Sequence, residues 1–69
     1  MKFAIFLQND SQTQAAIKGL HSEYGNAAKI VDATTLEVWD AISDEFEMMQ
    51  TIEDALFTEG VTPLEIQRI

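Results

Sequence analysis

The chain has 69 residues and a mass of 7.7 kDa, with twelve acids against four bases and a net charge of −8. It holds no cysteine and one histidine, which excludes disulfide scaffolds, thiolate metal sites, cysteine nucleophiles and multi-histidine metal centres. A single domain of this size, residues 1–69, buries only about 60% of the surface its unfolded chain exposes, so a deep substrate cavity is not expected. Its hydrophobic content of 46% exceeds that of a disordered acidic tail.

In chain order, Lys2 to Gln8 is apolar on both alternating sides, with Phe3, Ile5 and Leu7 on one and Ala4 and Phe6 on the other. This predicts a first strand covered on both faces. The run Phe3 to Leu7 is too short for a secretory core or a membrane span, so the expected location is the cytoplasm. Asn9-Asp10-Ser11 marks a turn, and Ser11 with Gln14 fits a capping box. A helix is predicted from Gln12 to Tyr24, burying Ala16, Ile17, Leu20 and Tyr24, with Gly25 at its C-terminal cap. Ala27 to Ala33 reads as a second strand around Ile30 and Val31. Thr34 with Glu37 fits another capping box, and Leu36 to Glu59 reads as a helix that Gly60 and Pro63 end. A break near Ser43 would divide this segment and add a third, short helix. Leu64 to Gln67 alternates and closes the chain as a strand with one wet face.

The resulting expectation is an α/β domain, β-α-β-α-β, with a three-stranded parallel sheet in the order 2-1-3 and one helix on each face. The alternative order 1-2-3 puts both helices on one face and leaves the other for a partner or a second copy.

The charge is unevenly distributed. Residues 1–29 carry three bases and two acids, whereas residues 30–67 carry ten acids and no base. Wound as a helix, Leu36 to Glu59 places Val38, Ile42, Phe46, Met49, Ile52 and Leu56 on one arc and Glu37, Asp40, Asp44, Glu47 and Asp54 opposite. Such a ridge spans about 25 Å. Like charges spaced as Asp40 and Asp44 are cost a helix a few tenths of a kcal/mol, so stability alone does not favour them. Read blandly, the ridge is a solvated helix face. Read sharply, it is a surface for Lys and Arg of a basic partner. Trp39 and Phe57 fall between the arc and the ridge. They belong to the core or, if exposed, serve as aromatic anchors inside an acidic rim.

Other chemistry finds little footing. Adjacent helical residues do not converge, so His21, Ser22 and Glu23 do not form a nucleophile–base pair. No EF-hand loop, phosphate-binding loop or dinucleotide fingerprint is present. No catalytic residue, cofactor or specific metal site is assigned. The acidic balance argues against direct binding to nucleic acid or an anionic membrane, because phosphate contacts need Lys and Arg.

In its charge profile the chain resembles the small acidic phage-encoded inhibitors of the DNA-mimicking anti-CRISPR type. The likeness lies in the Asp/Glu ridge from Glu37 to Asp54 and the base-free stretch 30–67, and rests on no sequence motif. It implies a non-enzymatic inhibitor in the host cytoplasm that occupies a basic groove of a Cas effector complex or another nucleic-acid-binding protein. Glu37, Asp40, Asp44, Glu47 and Asp54 would make the contacts, with Trp39 as an apolar anchor. The competing expectation is a structural or assembly module, a homo-oligomer or adaptor, whose acids only keep it soluble. An enzyme would need a concave site with a perturbed carboxylate.

Overall fold

A computed structural model describes residues 1–69 as four strands and two α-helices: β1 (Lys2–Phe6), α1 (Thr13–Tyr24), β2 (Ala28–Asp32), β3 (Thr35–Trp39), α2 (Glu45–Thr58) and β4 (Glu65–Arg68). Short 3₁₀ turns, Asp10–Gln12 and Gly25–Ala27, flank α1. The sheet order is β2-β3-β1-β4 and every neighbouring pair is antiparallel. This is the β-α-β-β-α-β, split βαβ topology of ferredoxin-like folds, an architecture that hosts many functions and implies none.

The α/β class is as expected, while the three-stranded parallel sheet in the order 2-1-3 is replaced by four antiparallel strands. The cause is the segment read as one helix from Leu36 to Glu59. Its first residues, Thr-Leu-Glu-Val-Trp, alternate and pair with β1 and β2, with Leu36 opposite Ile5 and Val38 opposite Phe3. The chain does break near Ser43, but what precedes the break is a strand and a loop, not a short helix. Thr34 is therefore not a helix cap. It lies in the tight turn joining β2 to β3, where its N–H donates to the Asp32 carboxylate at 3.0 Å. The cap of α2 is Asp44, whose carboxylate accepts the Glu47 N–H at 2.8 Å. The first turn also differs: Asn9, not Ser11, caps the 3₁₀ turn leading into α1.

Both helices lie on one face of the sheet. Phe3, Ile5, Leu36 and Val38, all fully buried, point to the same side and meet Ala16, Ile17 and Leu20 of α1 and Met48, Ile52, Ala55 and Leu56 of α2. The opposite face, bearing Lys2, Ala4 and Phe6 of β1 and Thr35, Glu37 and Trp39 of β3, has no helix over it. One helix per face was the expectation; this arrangement instead matches the alternative in which both helices share a face. β1 is interior, as expected, and its second apolar side is shielded by neighbouring side chains, leaving Ala4 only 4% exposed.

Three local features set the helices. Gly19 of α1 faces α2 closely enough that a Cβ there would sit 2.6 Å from the Ala55 carbonyl oxygen. Thr13 is buried and donates from Oγ1 to the Ala33 carbonyl, tying the start of α1 to the β2–β3 turn. Gly60 follows α2 at φ 73°, a conformation that disfavours any side chain.

Candidate binding surface

The structure separates the acids that a continuous helix would have aligned. Glu37 lies on β3, on the uncovered sheet face, between two lysines of the flanking strands: Lys2 Nζ is 3.6 Å and Lys29 Nζ 3.9 Å from its carboxylate. Register explains this, since Lys29 pairs directly with Glu37 and Lys2 lies diagonally across on β1. Asp40 follows β3 in a loop, where its carboxylate accepts the Ile42 N–H at 2.8 Å. That hydrogen bond, helped by the Ser43 hydroxyl and the N-terminal ammonium, holds the Asp40 carboxyl below the usual carboxylate range. Asp44 caps α2. Of these five, only Glu47 and Asp54 stand free on the helix itself. The single ridge Glu37, Asp40, Asp44, Glu47, Asp54 is therefore not formed, and Glu37 is matched by the molecule's own lysines.

What replaces the ridge is a helix face of different make-up. Counting Asp44 and Glu59 at its ends, α2 bears six acids, Asp44, Glu45, Glu47, Glu53, Asp54 and Glu59, and no base. Arg68 reaches Glu45 at 3.6 Å, and no other salt bridge touches the helix. The buried side is centred on Met48, Ile52, Ala55 and Leu56. At about 100° per residue, this turns Phe46, Gln50, Glu53 and Phe57 outward in one row, with Glu47 and Asp54 beside it. Phe46 is 75% and Phe57 84% exposed. Eleven residues apart, they are separated by about 16 Å along the axis. Phe46 was expected on the buried arc. Phe57 takes the outward alternative weighed for it, and both aromatic rings stand among carboxylates that no lysine or arginine neutralises.

The charge is one-sided. Lys2 and Lys29 nearly balance Glu37, Glu65 and Asp32 on the uncovered sheet face, so most of the net charge of −8 arises from the remainder of the molecule. Three of the four bases are engaged in ion pairs with Glu37 or Glu45, leaving Lys18 of α1 as the one without a salt-bridge partner. Trp39, at the end of β3, is half-exposed and lines a shallow cleft with Tyr24 and Asp40, some distance in sequence from the outer row of α2.

No group of three or more His, Asp or Glu side chains has the arrangement of a metal site. His21 Nε2–H donates a hydrogen bond to the Ala28 carbonyl oxygen at 3.0 Å, a contact that secures β2 to α1. No helix is long and apolar enough to cross a membrane. No protein-family model, curated protein or solved structure matches the chain.

Proposed function

We propose that the protein is a non-enzymatic binding module whose helix α2 docks on a basic surface of a partner protein and blocks the access of nucleic acid to it. The observation that carries this reading is the outer face of α2, with Phe46 and Phe57 exposed among Glu47, Glu53 and Asp54. Exposed aromatic rings within a charged rim are the usual composition of an interaction hot spot. Six acids without a base on one element supply long-range attraction toward a cationic surface, which raises the association rate and makes it salt-dependent. A surface that binds duplex DNA is such a target, because it is lined with Lys and Arg. Inhibition of the anti-CRISPR type, on a Cas effector complex or another nucleic-acid-binding protein, is the form this takes if the partner's groove is a nucleic-acid channel.

Immobilised protein is expected to retain a basic nucleic-acid-binding protein from host lysate at low salt, to release it in a salt step, and to lose it to added duplex DNA. The double variant Glu47→Lys with Asp54→Lys should lose retention. Equal retention by that variant, or retention indifferent to salt and DNA, overturns the proposal.

A second reading has one observation in its favour. The sheet face opposite the helices is uncovered, nearly balanced in charge and edged by Trp39, so self-association through it would bring little net charge together. A dimer that persists at high salt and dissociates on Trp39→Lys would favour an assembly module.

A further inference from the structure

At the C-terminal end of α1 a cleft of about 320 Å³ opens between the helix end, the turn into β2 and the loop after β3. Seven residues line it: Glu23, Tyr24 and Ala27 on one side and Trp39, Asp40, Ala41 and Ile42 on the other. The two aromatic residues, two alanines and an isoleucine make its walls apolar, and the two charged groups are both carboxylates. No lysine or arginine lines it.

We infer that this cleft receives one arginine side chain of the basic partner, its guanidinium against the aromatic residues and its charge met by Glu23 and Asp40. The inference rests on the reading of a basic partner given above and names where one of its cations goes.

Three observations support the assignment. The cleft lies where the carbonyl end of α1 concentrates partial negative charge, which adds to the two carboxylates in favouring a cation. The field of those carboxylates reaches into the site: the Tyr24 hydroxyl is pushed above its ordinary pKa first by burial and then by Asp40 and Glu23, against the Thr51 hydrogen bond. The neighbouring cations are already committed. The Met1 ammonium donates to the Asp40 carbonyl oxygen at 3.0 Å, and the Lys2 ammonium, across the strand pair from Trp39, is held by Glu37. Arginine fits better than lysine because its flat, weakly hydrated guanidinium stacks on aromatic faces and pairs with two carboxylates at once, whereas an ammonium keeps its water.

The test needs no partner. The intact protein is titrated with N-acetyl-arginine methylamide while the indole N–H of Trp39, the chain's single tryptophan, and the Tyr24 ring are followed by NMR. The lysine and citrulline analogues run alongside. Asn at position 40 keeps an oxygen for the Ile42 N–H, and Glu23 is exposed with no hydrogen bond to lose, so Glu23→Gln with Asp40→Asn removes both charges while leaving the loop in place. The expected result is a saturable shift with arginine, a severalfold weaker one with lysine, none with citrulline, and a loss of about tenfold in affinity in the double variant. No saturable shift with arginine, an equal response to citrulline or lysine, or unchanged affinity in the double variant overturns the inference. Failure here leaves binding through α2 standing. Conversely, arginine binding that survives while the lysine-substituted α2 loses nothing in partner retention isolates the fault in the proposed function.

Discussion

Replacing Gly19 by alanine tests the packing that holds α2 in place. The new Cβ would lie 2.6 Å from the Ala55 carbonyl oxygen, 2.9 Å from Glu59 Cγ and 3.3 Å from the Ala55 carbonyl carbon. The Glu59 side chain can swing aside, but the Ala55 carbonyl belongs to the backbone of α2 and moves only with the helix. Restoring ordinary contact at about 3.4 Å requires the two helices to part by about 0.8 Å, a gap that forfeits a quarter to a half of each facing dispersion contact. Overpacking of this kind costs about 1–3 kcal/mol. Alanine recovers up to about 1 kcal/mol of helix propensity over glycine. The net expectation is a loss of about 1–2 kcal/mol, or a melting point lower by roughly 5–15 °C for a domain of this size. Urea and thermal denaturation followed by circular dichroism measure it, with Gln14→Ala, exposed on the same helix, as a control expected within about 0.5 kcal/mol of the parent. A Gly19→Ala protein as stable as the parent, or more stable, would show that propensity decides and that the helices do not meet at this point.

Three further outcomes are expected. Asp44→Ala should cost about 1 kcal/mol in urea denaturation through loss of the cap on α2, while Asp44→Asn, which can still accept the Glu47 N–H, should cost much less. The Asp32 carboxyl is held low chiefly by the Thr34 N–H and the Asp40 carboxyl chiefly by the Ile42 N–H. A depressed folded-state pKa gives stability that is present above the ordinary value of 3.8 and lost as pH falls below it, so Asp32→Asn with Asp40→Asn should flatten the acid limb of a stability–pH curve. Glu37→Gln should leave partner retention unchanged within about twofold, because its charge is already answered by Lys2 and Lys29, and such exposed pairs contribute at most about 1 kcal/mol to stability.

Much of the fold can be read from local pattern. Four elements, β1, α1, β2 and β4, follow from apolar strand patterns, from the helical period of Ala16, Ile17 and Leu20, and from glycines at 25 and 60, both of which take positive φ. Thr35 to Trp39 was hidden by coincidence. Val38, Ile42, Phe46 and Met49 recur at helical spacing across a strand, a loop and a helix, and a long window outweighs a five-residue alternation. The hairpin gave no warning either, since Asp32-Ala33-Thr34 contains no glycine and closes through the Asp32 carboxylate instead. One missed strand changes the sheet from parallel to antiparallel, because β3 then separates β1 from β2.

The same coincidence aligned carboxylates that the fold separates. The excess of carboxylates is a property of composition and survives any folding, but which of them stay unpaired depends on register. Cross-strand pairing turned Glu37 toward Lys29, and the approach of β4 to the start of α2 gave Glu45 to Arg68. With the helix starting at Glu45 its buried side centres on Met48, Ile52, Ala55 and Leu56, and Phe46, which the longer helical winding put on the buried arc, turns outward. The exposed row Phe46, Gln50, Glu53, Phe57 is visible in the sequence once the Asp44–Glu47 cap is recognised, since it follows at spacings of four, three and four.

The central claim is that the outer face of α2 is what a basic partner touches. Amide and aromatic ring signals of the labelled protein, recorded with and without a basic protein recovered by retention from lysate, test this directly by showing which residues are covered. Binding through α2 predicts that Phe46, Glu47, Gln50, Glu53, Asp54 and Phe57 are perturbed while Lys29, Glu65 and Gln67 on the uncovered sheet face are not. Perturbation confined to that sheet face, with α2 unchanged, would contradict it.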